Sequence, residues 1–447
     1  MRIVVVGAGE VGSYVAERLS REDHDVVLIE RDPARVGELE GQLDALVVRG
    51  SGTDPHTLAD VGAARADLIV AVTSDDETNI VSAMLAKHAG TQRSIVRIEN
   101  RPLREMISQE LRDATGTDLV IDPDEETSAE VIELVENPGV IEVESMAGGE
   151  ILVLGVRLAA DAPVVGRTLQ ELGTAYAPNW QFLFGAITRG DETVIPRGDH
   201  RLEHGDLVRV VCTRDARREL TALLGLDRAA PKRVVLLGGG RTAQLLARRL
   251  VKQVDHVVVA ERDPARAHEL ASLLEGVEVL NGDITDADCL AEIEIGADDL
   301  VVALTGADDA NILACLYAKS VGVTETIALA HRLSLLPLLA EIGVDGALSP
   351  RTATANAVLR FARGRVTAVA TFLRGDVEVL ELEIHADSPA AGKTIAELHL
   401  PKDALVGAVL SRTGAEIGRG SIRLNPQDRV VLLAKPTALP AAKRIFG

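Results

Sequence analysis

Aromatic residues are scarce in this 447-residue sequence: Phe, Trp and Tyr together make up 2%, with a single tryptophan. Basic residues are outnumbered too, 47 Lys and Arg against 68 Asp and Glu, which leaves a formal charge of −21. A nucleic-acid surface needs a basic patch, and single-strand binders add aromatic stacking platforms. A chain short of both is expected to have no nucleic-acid partner. Cysteine is nearly absent. Cys212, Cys289 and Cys315 lack Cys-x-x-Cys spacing, so they are expected to be buried, reduced side chains rather than disulfides or metal ligands. No apolar run reaches bilayer-spanning length, and the chain opens as a strand rather than a signal peptide. The expected location is cytoplasmic, with any membrane work done through a partner. His200 and His204 have the spacing of a metal pair, but Gly198-Asp199 and Gly205-Asp206 flank them. That pattern is a turn, and no metal site is expected.

What is present begins at once. Met1-Arg-Ile-Val-Val-Val-Gly-Ala-Gly-Glu-Val-Gly12 joins an apolar run to Gly-x-Gly-x-x-Gly and then to a helical pattern, Ser13 to Leu19. In such a turn Gly7 makes the tight bend, Gly9 lets backbone N–H groups approach a pyrophosphate, and Gly12 lets the helix sit close to the strand. A second apolar run, Val26–Ile29, ends at Glu30, 18 residues past Gly12. A carboxylate there accepts hydrogen bonds from an adenosine ribose and repels a 2′-phosphate, which favours NAD or a plain adenine nucleotide over NADP.

Strand and helix patterns then alternate to about residue 135. Strands are expected at Arg2–Val6, Val26–Ile29, Ala45–Val48, Leu68–Val72, Ser94–Ile98 and Leu119–Pro123, with helices between them, the last from Pro102 to about Leu111. Apolar, β-branched strands in this rhythm predict an α/β fold with a doubly wound parallel sheet. Ligands bind such sheets at the carboxyl ends of the strands. That gathers Gly7–Gly12, Glu30–Asp32, Gly50–Asp54, Thr73–Asn79 and Arg97 around one crevice. Asp75 and Asp76 are expected to cap a helix or contact ribose rather than to catalyse. Arg97 reads equally as a surface ion pair or a phosphate clamp.

After a helix from about Ala129 to Glu136, Asn137-Pro138-Gly139 ends the pattern, and residues 140–213 read as short antiparallel strands with one helix, a small α+β module. Beyond a charged linker, Asp227–Lys232, the beginning returns. Gly238 stands 231 residues after Gly7, and Glu261-Arg-Asp-Pro264 repeats Glu30-Arg-Asp-Pro33 at the same offset. Thr305–Asn311 matches Thr73–Asn79 at 232; Pro389–Thr394 echoes Pro163–Thr168 at 226. Offsets that hold within a module and step between modules mark a duplication. The order is nucleotide domain, small module, nucleotide domain, small module, with limits 1–136, 137–226, 232–364 and 365–447.

The candidate nucleotide contacts in the first half are Gly7, Gly9, Glu10, Val11, Gly12, Glu30, Arg31, Ser51, Thr73, Ser74, Asp75, Asn79 and Arg97. In the second half they are Gly238, Gly240, Arg241, Thr242, Glu261, Arg262, Asp283, Ile284 and Thr305. The crevices are not equivalent. Leu329 replaces Arg97, Ala243 replaces the last glycine, and Arg241 enters the second glycine loop. Loss of an arginine–phosphate bond typically costs about 1.5–3 kcal/mol, so the second site is expected to be weaker for polyphosphates. Asp283 stands where the first half has Ser51, and a carboxylate there suits an adenine amino group.

Gly-Ala-Gly-Glu-Val-Gly12 with Glu30, Thr73-Ser-Asp-Asp-Glu-Thr-Asn79, Gly-Gly-Gly-Arg-Thr-Ala243 with Glu261, Asn281-Gly-Asp-Ile-Thr-Asp286 and Ser349-Pro350 resemble the TrkA family over essentially the whole chain. These are cytosolic regulatory subunits of Trk-type potassium uptake systems. The resemblance implies two tandem RCK units, each a Rossmann RCK-N domain followed by an RCK-C (TrkA-C) lobe. It also implies binding of NAD(H) and ATP/ADP, a homotetrameric ring, and docking beneath a membrane potassium channel subunit of the TrkH type, at the inner face of the plasma membrane. Gating of K⁺ flux would follow from ligand-driven changes in the ring. Arg97 matches the family's phosphate-contacting arginine, and Ser51 departs from the family's acidic third-strand residue. An NAD-dependent dehydrogenase is the alternative, as is an RCK regulator of another cation channel or antiporter. Against an enzyme, the small modules offer no His/Lys/Asp constellation for a general acid or base.

Overall fold

The structure is a computed structural model that describes residues 1–21, 24–100, 102–103, 115–177, 180–190, 192–226, 231–362, 366–371 and 377–446. Most of the helix expected over Pro102–Leu111, and most of the linker Asp227–Lys232, lie outside the described residues. The chain forms two compact units, Met1–Thr127 with Pro350–Gly364, and Ser128–Ser349 with Arg365–Gly447.

In the first unit, β1 (Arg2–Val6), β2 (Asp25–Glu30), β3 (Leu46–Arg49), β4 (Leu68–Ala71), β5 (Arg93–Arg97) and β6 (Leu119–Ile121) form one parallel sheet of order β3-β2-β1-β4-β5-β6. The order reverses beside β1, which opens a crevice at its carboxyl end. β1 is apolar from Ile3 to Val6 because both its faces are covered. Ile3 and Val5 join Leu28, Leu68 and Val70 on one face, while Val4 and Val6 join Val27, Ile29 and Ile69 on the other. The first face is closed by Val11, Val15, Ala16 and Leu19 of helix Glu10–Ser20, and by Ala355, Val358, Leu359 and Ala362 of helix Pro350–Ala362. A helix encoded at the far end of the sequence thus completes this core. Arg93 donates to the carbonyls of Phe361 and Ala362, and Arg360 pairs with Glu126 at 2.7 Å.

The second unit opens with the first small module. Its sheet comprises β7 (Glu142–Met146), β8 (Ile151–Arg157), β9 (Phe182–Arg189), β10 (Glu192–Val194) and β11 (Leu207–Thr213), in the order β10-β9-β11-β8-β7. Next come β12 (Arg233–Leu237), β13 (His256–Glu261), β14 (Glu278–Asn281), β15 (Asp299–Ala303), β16 (Glu325–Leu329) and β17 (Gly346–Leu348), in the order β14-β13-β12-β15-β16-β17. This sheet is capped by Leu246 and Leu250 of helix Arg241–Leu250, together with Val131, Leu134 and Val135 of helix Pro123–Glu136. The last sheet holds β18 (Val366–Thr371), β19 (Glu378–Glu383), β20 (Ala404–Ser411), β21 (Gly414–Ile417) and β22 (Arg429–Ala434), ordered β18-β19-β22-β20-β21. The two small sheets share a core in which Val153 and Val211 meet Val379, Val431 and Leu433. Gly185 makes room for this: a Cβ there would lie 2.4 Å from Leu433. The repeated Pro-x-x-Gly-[Arg/Lys]-Thr elements prove to be capping boxes, Thr168 with Glu171 and Thr394 with Glu397.

Candidate functional site

The β1 turn builds the first cleft. Gly7 has φ +97°, and a Cβ there would lie 2.8 Å from Thr73 Cγ2. A Cβ on Gly12 would lie 1.8 Å from the Gly7 carbonyl oxygen, whereas one on Gly9 would meet nothing within 4 Å. The turn is therefore closed behind and bare in front, a cradle that backbone N–H groups can offer to a diphosphate. Glu30 fixes its wall: Oε2 accepts from the N–H of Ala8 at 2.8 Å, and Oε1 accepts from those of Arg31 and Asp32 at 2.8 and 2.9 Å. The same carboxylate that suits ribose hydroxyls also holds the glycine turn.

The opposite wall hangs on a buried amide. Asn79 accepts from the Thr73 N–H at 2.8 Å and donates to the Thr73 and Arg97 carbonyls, each at 3.0 Å. Asp75 caps helix Asp76–Ala89. The Thr78 side chain and backbone N–H hold its carboxyl below the usual range. Asp76 accepts from the N–H groups of Glu99 and Asn100. Both acids act as ties, as acids at a helix start commonly do. Arg97 donates to the Thr73 carbonyl at 3.5 Å and pairs with Glu99.

These parts enclose a cleft of about 400 Å³. Of the candidates, Gly7, Gly9, Glu10, Val11, Glu30, Arg31, Ser51, Thr73, Ser74, Asp75 and Arg97 line it. Gly12 and Asn79 stand behind the lining as packing and pinning residues. Gly50, Gly52 and Thr78 line the cleft as well, and so does Arg351, from the second half of the sequence. Arg351 pairs with Glu10. Sequence reasoning missed it, since only the packing of helix Pro350–Ala362 brings residue 351 to this wall; the single signal was its place after Ser349-Pro350.

The second cleft, about 490 Å³, repeats the scaffold. Glu261 accepts from the N–H of Gly239 at 2.8 Å and of Asp263 at 2.9 Å. Asn311 pins Thr305 to the Leu329 carbonyl. Gly238, Gly240, Glu261, Arg262, Asp283, Ile284 and Thr305 line it; Arg241 and Thr242, which open helix Arg241–Leu250, are not among the lining residues. Asp283 Oδ1 accepts from the N–H and hydroxyl of Thr285, which hold its carboxyl low, and Oδ2 remains as an acceptor. Burial alone would raise the Asp308 carboxyl, yet the N–H groups and side chains of His331 and Arg332 outweigh it and hold it at about 2. The two clefts differ in their arginines: Arg31, Arg97 and Arg351 line the first, and Arg262 lines the second.

Elsewhere, His200 Nδ1 lies 3.0 Å from the Arg197 backbone N–H, and among the described residues no group of three metal-ligating side chains occurs. Cys212 and Cys315 are buried, which pushes each thiol up to about 12; Cys289 is half-buried rather than buried as expected. Among the described residues no helix is long and apolar enough to cross a membrane.

Two family models match the chain, each twice: the TrkA-N domain over residues 3–123 and 234–350, and the TrkA-C domain over 153–225 and 379–447. A Trk system potassium uptake protein TrkA homolog of Archaeoglobus fulgidus is 33% identical over 448 residues, covering 100% of both chains. The Trk system potassium uptake protein TrkA of Haemophilus influenzae is 32% identical, covering 100% of this chain and 98% of that one. Among solved structures, the GsuK RCK domain superposes with a TM-score of 0.59 at 19% identity, over 100% of this chain and 94% of that chain. The GsuK channel bound to NAD gives 0.58 at 20% identity, over 100% and 78%.

Proposed function

The chain belongs to the TrkA family, and from that premise we propose that it is a nucleotide-sensing regulatory subunit of a potassium uptake system. Its ligands are NAD(H) and ATP or ADP, bound in the two Rossmann clefts. The observation that carries this is the repeated cradle: a glycine turn bare toward the cleft, with a carboxylate, Glu30 or Glu261, at the end of the neighbouring strand. The NAD named with the similar GsuK channel supports the same ligand class. The unit of duplication is a nucleotide domain followed by a small module, present twice, as 1–136 with 137–226 and as 232–364 with 365–447.

The partner is a membrane channel subunit of the TrkH type, met from the cytoplasmic side by a tetrameric ring of this chain. A nucleotide that binds one ring geometry better shifts the ring toward it; equal affinity for both shifts nothing. The reading is non-enzymatic. The side chains lining both clefts are arginines, carboxylates, hydroxyls and small apolar groups, with no His or Lys to exchange a proton beside a nicotinamide.

Calorimetric titration with NADH, NAD, ATP and ADP, repeated on Glu30→Ala and Glu261→Ala, tests this. Micromolar binding lost one cleft at a time, without turnover, is the expected result. Because Glu30 also holds three backbone N–H groups, thermal unfolding of each variant separates lost binding from lost folding. Hydride transfer to an added metabolite, or no binding by either half, overturns the reading.

A further inference from the structure

The first cleft contains an ion pair at its glycine turn. Glu10 is the first residue of helix Glu10–Ser20, directly after the bare Gly9, where the diphosphate of a nucleotide settles in strand–turn–helix clefts. A carboxylate at that helix start takes the place of an anionic ligand. It pairs with Arg351, the second residue of helix Pro350–Ala362. Arg97 reaches the same cleft from the end of β5. In the second half the position of Glu10 is held by Arg241, and the lining has no counterpart of Arg351.

The side chains of Arg351 and Glu10 are 32% and 41% exposed, while the atoms that meet, Arg351 Nη1 and Glu10 Oε2, are shielded from water. An acceptor seated in the cleft therefore competes for the guanidinium better than bulk water does. A phosphate offers the guanidinium a doubly hydrogen-bonded, more highly charged acceptor. We propose that Arg351 grips the diphosphate of an adenosine nucleotide in the first cleft, and that Glu10 holds this arginine in reserve until the ligand takes it. The inference rests on reading the cleft as a nucleotide site and adds what that site senses. It selects for the diphosphate, and it reports occupancy to the start of helix Pro350–Ala362. That helix is otherwise fixed: Val358, Leu359 and Ala362 are buried in one core with Val11 and Val15, and Arg360 is tied to Glu126. Arg351, in its first turn, is the side chain whose partner the ligand changes.

The test uses the full chain carrying Glu261→Ala, which confines the titration to the first cleft, with ADP and adenosine as probes. Arg351→Gln is expected to weaken ADP about 10–100-fold, the range for a lost charge-assisted phosphate contact, and to leave adenosine within about twofold. Arg351→Lys restores part of the loss, and Glu10→Gln tightens ADP several-fold. Hydrogen exchange of residues 350–358 slows on adding ADP to the parent and not to Arg351→Gln. If ADP binds the parent but Arg351→Gln changes ADP and adenosine equally, or neither, Arg351 is a structural tie; the proposal falls while the nucleotide reading stands. If the parent binds neither probe, the nucleotide reading of this cleft falls and takes the proposal with it.

Discussion

Asp308 carries more than its place in a helix start suggests. Its side chain is 5% exposed and its two oxygens accept from the backbone of His331 and Arg332, at 2.8 and 3.0 Å. A carboxyl held at about 2 when folded and near 3.9 when unfolded contributes about 2 kcal/mol above the unfolded value. That contribution disappears as pH falls from about 4 through 2. Asp308→Asn is therefore expected to lower stability by about 2 kcal/mol at pH 7, with a gap to the parent that closes below pH 4. Denaturation midpoints from pH 7 to pH 3 check this, and a gap independent of pH contradicts it. Asp76 makes the same tie in the first half, to Glu99 and Asn100. At this scale the motifs made Glu30, Asp75 and Arg97 legible, because a strand end or helix start fixes where such residues stand. They did not fix which side chains reach the cleft: Arg241 lies in the glycine motif yet outside the lining, and Arg351 lies in no motif yet inside it.

Among the elements, strands were the easiest to read. Their apolar runs are bounded by the same residues within one or two positions, since a strand covered on both faces has no polar register to mislead. Helix starts were harder. The helix expected from Ala129 begins at Pro123, where proline in the first turn and Asp124, Glu125 and Glu126 beside it are ordinary start signals. Helix Arg217–Leu223 escaped notice, being too short to show a period. Hardest of all was the destination of helix Pro350–Ala362, because its apolar face says only that it is buried. Its packing on the first sheet yields a prediction. A fragment ending at residue 136 leaves Val11, Val15, Ile3 and Val5 without Val358 and Leu359. At about 25 cal/mol per Å² of apolar surface, the missing cover is worth several kcal/mol. The fragment is expected to melt broadly and to bind a hydrophobic dye. Adding a peptide of residues 348–364 sharpens the transition; a fragment that unfolds cooperatively without it contradicts the assignment.

The whole molecule is a duplication whose halves share a scaffold and differ in charge. Repeated offsets made the duplication visible, because loop lengths change in steps while motifs do not. The unequal lining gives the corresponding prediction. Arg97→Leu installs in the first cleft the residue that the second half has at this place, and is expected to weaken ADP there by one to two decades while sparing the second cleft. Two-site calorimetry distinguishes this from equal loss at both.

Helix Pro350–Ala362 also sets a timetable. The ribosome makes residues 1–127 early, but the last layer of their core emerges only after residue 362. At about 5–20 residues per second, that wait is on the order of tens of seconds. During it the apolar side of helix Glu10–Ser20 that meets helix Pro350–Ala362 stays uncovered in the cell, an opening for chaperones and proteases that closes only when four-fifths of the chain exists.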